Sequence, residues 1–180
     1  GNSGVNSTPL AIPDNPSPAV TSSIFIDNAG LANSVVSVKI DSLTHTWMSD
    51  VKAELIAPNG SSIIVVTGVG SSGSGFVNTV FSSTSTTAIS GTSPFTGTYK
   101  PNQSFSLLTG SGSGEWKLRL TDLVGADVGT LWKWSLVLTP SNSVNSTLSP
   151  SIGLSTTTGL STVASPSSTT SYTLTVSNTA

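Results

Sequence analysis

The single histidine of this chain, His45, lies in the stretch THTWMSD (44–50), flanked by threonine hydroxyls and followed by the carboxylate of Asp50. Histidine, hydroxyl and carboxylate are the parts of a hydrolytic triad, in which the carboxylate orients the imidazole and the imidazole takes a proton from the nucleophile. The rest of that equipment is missing from the sequence. No G-x-S-x-G elbow and no G-T-S-x-A run occurs. The two glutamates, Glu54 and Glu115, form no pair marked out for acid–base work. A lone histidine cannot build a histidine-based metal centre by itself. By strand alternation His45 shares a face with Leu43 and Trp47, which predicts a packed, hydrogen-bonded side chain and no catalytic residue.

A second candidate is DLVGADVG (122–129), where Asp122 and Asp127 sit in a glycine-bearing loop. Two carboxylates with backbone carbonyls are the oxygen ligands calcium uses, and Asp50 is placed to approach from the other turn. The competing reading has each aspartate accepting backbone N–H bonds in its own turn. No cofactor is required by either reading. The glycine clusters GVGSSGSG (68–75) and GSGSG (110–114) open no helix and carry no phosphate-loop lysine, so they are loops. Four tryptophans (47, 116, 132, 134) raise the alternative of glycan binding by ring stacking. Three of them fall on apolar strand faces, where core packing is the commoner use. Trp132 and Trp134 fall on one face of their strand, one of them open to exposure where strands end.

The elements that must hold these residues read as strands. SVVSVKID alternates, with Val36, Val38 and Ile40 on one face, and DVKAELIAPNG alternates and stops at Pro58-Asn59-Gly60, a hairpin turn. SSIIVVTG is a continuous apolar run, suited to a strand covered on both faces. EWKLRLTD sets Trp116, Leu118 and Leu120 opposite Lys117, Arg119 and Thr121, and TLWKWSLVLTP places Trp132, Trp134, Leu136 and Leu138 together. No window carries apolar residues at helical spacing. Short strands with turns about every ten residues predict an all-β fold: a two-layer antiparallel β-sandwich, jelly-roll-like.

Composition agrees. Charged residues make up 8% of the chain, and serine and threonine about a third. Hydroxyl side chains cover the solvent face of strands, and threonine is a good strand former. A net charge of -2, with six scattered basic residues, offers no field for nucleic acid or acidic membranes. No apolar stretch reaches the roughly 20 residues of a membrane span. Cysteine is absent, which removes disulfides and thiolate chemistry.

Residues Ile12 to about Thr139 resemble the P domain (P/Homo B domain) of the proprotein convertase and kexin-like subtilase family. The resemblance runs in order: IPDN (12–15); VVSVKIDSLTHTWMSDVKAELIAPNGS (35–61), with its His-Thr-aromatic and Pro-x-Gly turn; and FTGTYKPNQSFSLLTGSGSGEWKLRLTDLVGADVGTLWKWSLVL (95–138), with its Asp-x-x-x-x-Asp-x-Gly-Thr-Leu loop. It covers about 128 of the 180 residues. Ser49 stands where the family usually has glycine; if that position needs positive φ, serine is strained there. The resemblance implies a domain without catalytic residues of its own, packed on a subtilisin-like peptidase domain and supporting its stability, with effects on calcium and pH dependence. It implies that His45 is a structural position and that the parent protein is secreted or on the cell surface.

Three segments are expected. Residues 1–22 form a Pro/Ser-rich arm, either disordered or lying along the domain. Residues 23–140 form the P-domain-like sandwich. Residues 141–180 form a Ser/Thr-rich linker with C-terminal strand, either docked or the start of a following domain. The tail's TSYTLTVSN, with Tyr172, Leu174 and Val176 on one face, resembles strand repeats of Bacteroidetes surface proteins. The functional expectation is a non-catalytic accessory module associated with a subtilisin-like serine endopeptidase. The alternative is a carbohydrate- or surface-adhesion module.

Overall fold

The computed structural model describes residues 1–27, 29–141, 143–159 and 161–179. The chain divides into two compact units, 1–141 and 142–180. The first is built from ten strands: β1 (Ser3–Asn6), β2 (Leu10–Ile12), β3 (Val20–Ile26), β4 (Val35–His45), β5 (Val51–Ile56), β6 (Ser62–Thr67), β7 (Phe76–Ser82), β8 (Phe95–Tyr99), β9 (Gly114–Asp122) and β10 (Gly129–Leu138). One sheet has the order β1-β10-β4-β7-β8, with β2 also on β10; the other runs β3-β9-β5-β6. The helical pieces among the described residues are three short 3₁₀ turns, at Ala32–Ser34, Met48–Asp50 and Phe105–Leu107. This is the all-β sandwich expected, with one departure: β7 and β8 pair in parallel. No described helix is long and apolar enough to cross a membrane.

Strict alternation holds where the pairing is regular. On β9 the side chains of Trp116, Leu118 and Leu120 are buried, and Lys117, Arg119 and Thr121 point the other way. Each fully buried leucine of this kind contributes roughly 1.5–3 kcal/mol. The β5–β6 turn is a Pro58-Asn59-Gly60 hairpin, with Gly60 at φ +91° as the turn demands.

Alternation fails along a line crossing the larger sheet. Leu131 and Trp134 on β10, Ile40 and Leu43 on β4, and Phe76 and Thr79 on β7 are all buried, although each pair is three residues apart. The register is irregular between Leu131 and Trp134, and it passes over Asp41 and Asn78. Asn78 sits at φ +46°. Bulges insert a residue and restore the following side chains to the core; here three neighbouring strands do so side by side. The expected face of Trp132, Trp134, Leu136 and Leu138 is corrected accordingly: Trp132 points outward and is 45% exposed, and Trp134 is fully buried. A further irregularity pairs Leu138 with Val35, so Val35 is buried and Val36, expected inside, is exposed.

Strand pairing places two other segments. The apolar run of β6 lies at a sheet edge, with a bulge that buries both Val65 and Val66. Its edge is covered by the backbone of Asn102 and Gln103, which donate to the carbonyls of Val65 (2.8 Å) and Ile64 (2.9 Å). Residues 1–22 are ordered: β1 and β2 both pair with β10, and the prolines fall between strands, where no ladder donor is needed.

The second unit holds β11 (Ser143–Ser149) and β12 (Thr173–Thr179), an antiparallel ribbon. The strand expected from TSYTLTVSN is β12, and β11 is its partner. Leu174 and Val176 share a face and are exposed, and Tyr172 donates its hydroxyl to the Ile152 carbonyl at 2.7 Å. A two-stranded ribbon is marginal on its own.

Candidate functional site

The inward parity of β9 that buries Trp116, Leu118 and Leu120 also carries Asp122 to the core side. The inward parity of β4 does the same for His45, two residues past Leu43. A carboxylate from one sheet and an imidazole from the other thus face each other between the layers, both side chains wholly inaccessible. His45 Nε2 lies 3.2 Å from Asp122 Oδ2. A carboxylate only accepts, so Nε2 carries the proton. Nδ1 faces the Trp47 carbonyl at 3.0 Å and the Trp47 N–H at 3.2 Å. Both ring nitrogens are therefore spoken for by groups other than a serine or threonine hydroxyl. Gly129, paired with His45 across β10 and β4, allows the ring to lie against the backbone. A Cβ there would come within 2.5 Å of His45 Cδ2 and 2.4 Å of the Thr44 carbonyl.

The three aspartates named from the sequence end up on adjoining segments with separate duties. Asp122 also accepts the Val124 N–H at 3.2 Å. Asp127 accepts the Thr46 hydroxyl at 2.5 Å. The Asp50 carboxylate accepts the Ser49 hydroxyl at 3.4 Å, and the Asp50 carbonyl holds the Leu123 N–H at 2.9 Å. Among the described residues no group of three or more histidines, aspartates or glutamates is arranged to hold a metal ion. Ser49 lies in the 3₁₀ turn at negative φ, since the non-glycine residues at positive φ are Asn78 and Ala126. Serine is unstrained in that position.

Sequence reasoning missed the residue that ties the loop down. Asp14, between β2 and β3, accepts the Ala126 N–H through both oxygens (3.0 and 3.1 Å) and the Asp127 N–H at 3.4 Å. Asn15 donates its side-chain amide to the Asp122 carbonyl at 3.4 Å. These caps hold a loop in which Ala126 sits at φ +88°. The signal available was the segment IPDN, whose aspartate follows an apolar strand; its target, more than a hundred residues away, has no local signature. Of the tryptophans, Trp116 and Trp134 are fully buried, and Trp47 and Trp132 are about half exposed.

Outside this interior pair, the outer face of the smaller sheet carries a second set of charged groups. Arg119 on β9 makes a bidentate contact with Glu54 on β5 (2.8 and 2.9 Å). The Arg119 hydrogen bonds hold the Glu54 carboxyl below its ordinary range, against the opposing effect of burial.

The model of the proprotein convertase P-domain family matches residues 33–138, from the turn before β4 to the end of β10. A transglutaminase-activating metalloprotease of Streptomyces mobaraensis is 30% identical over 131 residues, which cover 73% of this chain and 14% of that protein. Leupeptin-inactivating enzyme 1 of Streptomyces exfoliatus is 26% identical over 137 residues, 76% of this chain and 26% of that protein. Among solved structures, the serine protease of Aeromonas sobria in complex with a chaperone aligns at a TM-score of 0.46 and 19% identity, covering 73% of this chain and 24% of that one. This chain therefore spans a quarter or less, or little more than a quarter, of the length of each of these proteins. The matched range includes His45, Asp50, Asp122 and Asp127, and it takes in more than half of the chain: the chain belongs to the proprotein convertase P-domain family.

Proposed function

We propose that this chain is a non-catalytic accessory module of an extracellular peptidase, stabilising a neighbouring peptidase domain by packing against it. The observation that carries the reading is the closure of the His45 site: a buried imidazole with both nitrogens engaged has no route to a substrate. Family membership supports the accessory role, and the names of the relatives favour a peptidase as the neighbour. The resemblance in the sequence implies a subtilisin-like serine endopeptidase, whereas one relative is named a metalloprotease. The proposal needs only a peptidase domain beside the sandwich.

Two measurements test it. The purified chain is expected to leave a fluorescent casein substrate uncleaved, and the parent protein lacking residues 1–141 is expected to lose activity on heating sooner than the intact protein. Cleavage of casein by the chain, abolished in His45→Ala, overturns the reading.

We further propose that the module works without a cofactor, with Asp122 serving as acceptor for His45 and the Val124 N–H, Asp127 for Thr46 and Asp50 for Ser49. Calcium sites of extracellular modules fill at roughly 0.1–1 mM. Melting in about 5 mM calcium and in chelator should therefore coincide. A rise of several degrees in calcium, lost in Asp127→Asn, makes the loop a calcium site instead.

A further inference from the structure

The bulge that turns Trp132 out of the core gives the larger sheet an aromatic ring on its solvent face. Trp132 is the outward residue between Leu131 and the Lys133–Trp134 irregularity, and its ring takes no part in the core beneath. Its indole N–H donates to the Thr44 hydroxyl of β4 at 2.9 Å. One edge of the ring is thereby tethered across the two strands, and nearly half of the side chain stays open to solvent. Beside it runs an open groove of about 430 Å³, whose walls include Thr44, Thr46, Ser74, Val128 and Thr130. Thr130 and Trp132 project from the same face of β10, and Thr44 is the cross-strand partner of Thr130.

The chemistry of this groove selects its ligand. Its lining holds four hydroxyl side chains, Val128, two glycines and His45, whose side chain is wholly inaccessible, and no lysine, arginine, aspartate or glutamate. An ionised ligand would find no counter-charge in it. Thr44 and Thr46 already bond Trp132 and Asp127, but a purely apolar ligand would strip water from the hydroxyls of Ser74 and Thr130, which costs free energy at each. A ligand that offers an apolar face to the indole and hydroxyls at its edges satisfies both demands. A pyranose ring with equatorial hydroxyls has that form, since its axial C–H bonds make one face apolar. Tethering of Trp132 reduces the ordering cost that a free tryptophan would add on binding.

We propose that Trp132 and the adjoining hydroxyl-lined groove form a binding site for neutral, β-linked gluco-configured oligosaccharides. Trp132, Thr44 and Thr130 project from the outward faces of β10 and β4, and the groove beside them reaches His45 and its cross-strand partner Gly129, so the site adjoins the His45–Asp122 pair. It would let the module hold its parent protein at a polysaccharide surface.

Cellohexaose and chitohexaose, titrated calorimetrically into the whole chain, test the site. At least one is expected to bind with a dissociation constant below about 1 mM, an affinity of roughly 4 kcal/mol. Trp132→Ala should weaken it tenfold or more, and Trp132→Phe, which keeps a ring but loses the tether to Thr44, should weaken it less. Thr44→Val should fall between wild type and Trp132→Ala, with a melting temperature that shows the fold intact. No heat of binding from either sugar at 5 mM, about the upper end of weak specific binding, overturns the proposal. Binding that is unchanged in Trp132→Ala overturns it as well.

Discussion

Two acid–base pairs share strand β9 and differ in almost everything else. Asp122 takes the last inward position of the strand and meets His45 between the sheets, where both side chains are wholly inaccessible. Arg119, three residues earlier, faces outward and meets Glu54 on the neighbouring strand of its own sheet, with 38% of the arginine side chain and 11% of the glutamate side chain in solvent. The first pair joins two layers and the second joins two strands already joined by a backbone ladder. A buried polar pair is costly to break because the survivor cannot return to water, whereas a surface pair yields its partner to solvent at little expense. The interior pair thus specifies how the layers meet, and the exterior pair adjusts stability modestly. Trp134 and Ser22 form a second polar link of the interior kind, with the indole N–H of β10 donating to the hydroxyl of β3 at 2.9 Å.

This contrast can be broken most sharply at Asp122. Asp122→Ala leaves the His45 Nε2–H and the Val124 N–H without their acceptor and should cost about 3 kcal/mol in urea unfolding. A loss below about 1 kcal/mol would mean that the interior pair behaves like a surface one. Ser22→Ala, which strands the Trp134 N–H between the layers, should cost about 1–2 kcal/mol by the same measurement. Glu54→Gln should cost at most about 1 kcal/mol near neutral pH, given how much of Arg119 is solvated.

That last difference should vary with pH. The folded Glu54 carboxyl is held below its unfolded value of 4.5 by Arg119, so its contribution is present above about pH 4.5. As pH falls through the lowered folded value, the contribution disappears and wild type and Glu54→Gln converge. Divergence at low pH would reverse the sign of this account. The smallest effect is expected at Lys117, whose ammonium lies 3.5 Å from the exposed Glu115. Lys117→Ala should change stability by less than about 0.5 kcal/mol, within the range of ordinary surface substitutions.

Much of the sandwich was legible because period-two patterning records which face is buried. β5, β9 and the β5–β6 turn follow directly from it, and the segments that resemble the P domain fall on those strands. The pattern misplaced Trp132 and Val36 because a bulge changes the parity of every residue beyond it, and nothing in a single strand marks where the extra residue goes. The aligned irregularities of β10, β4 and β7 become visible only when the three strands lie side by side. β1 and β2 escaped notice because three or four residues are too short to show a period, and their pairing with β10 spans more than a hundred residues of sequence.

The candidate site divides along the same line. The sequence by itself determined that the chain is a β-sandwich of the P-domain type, that its one histidine lacks a nucleophile motif, and that its surface is nearly uncharged. These follow from residue types and their spacing, which are local. Only the tertiary structure decided that His45 is paired with Asp122 rather than Asp50, that Asp14 caps the 122–129 loop, and that Trp132 faces solvent. Each of these depends on which strand is set beside which and in what register, and register is fixed by the packing of the whole core rather than by any one segment.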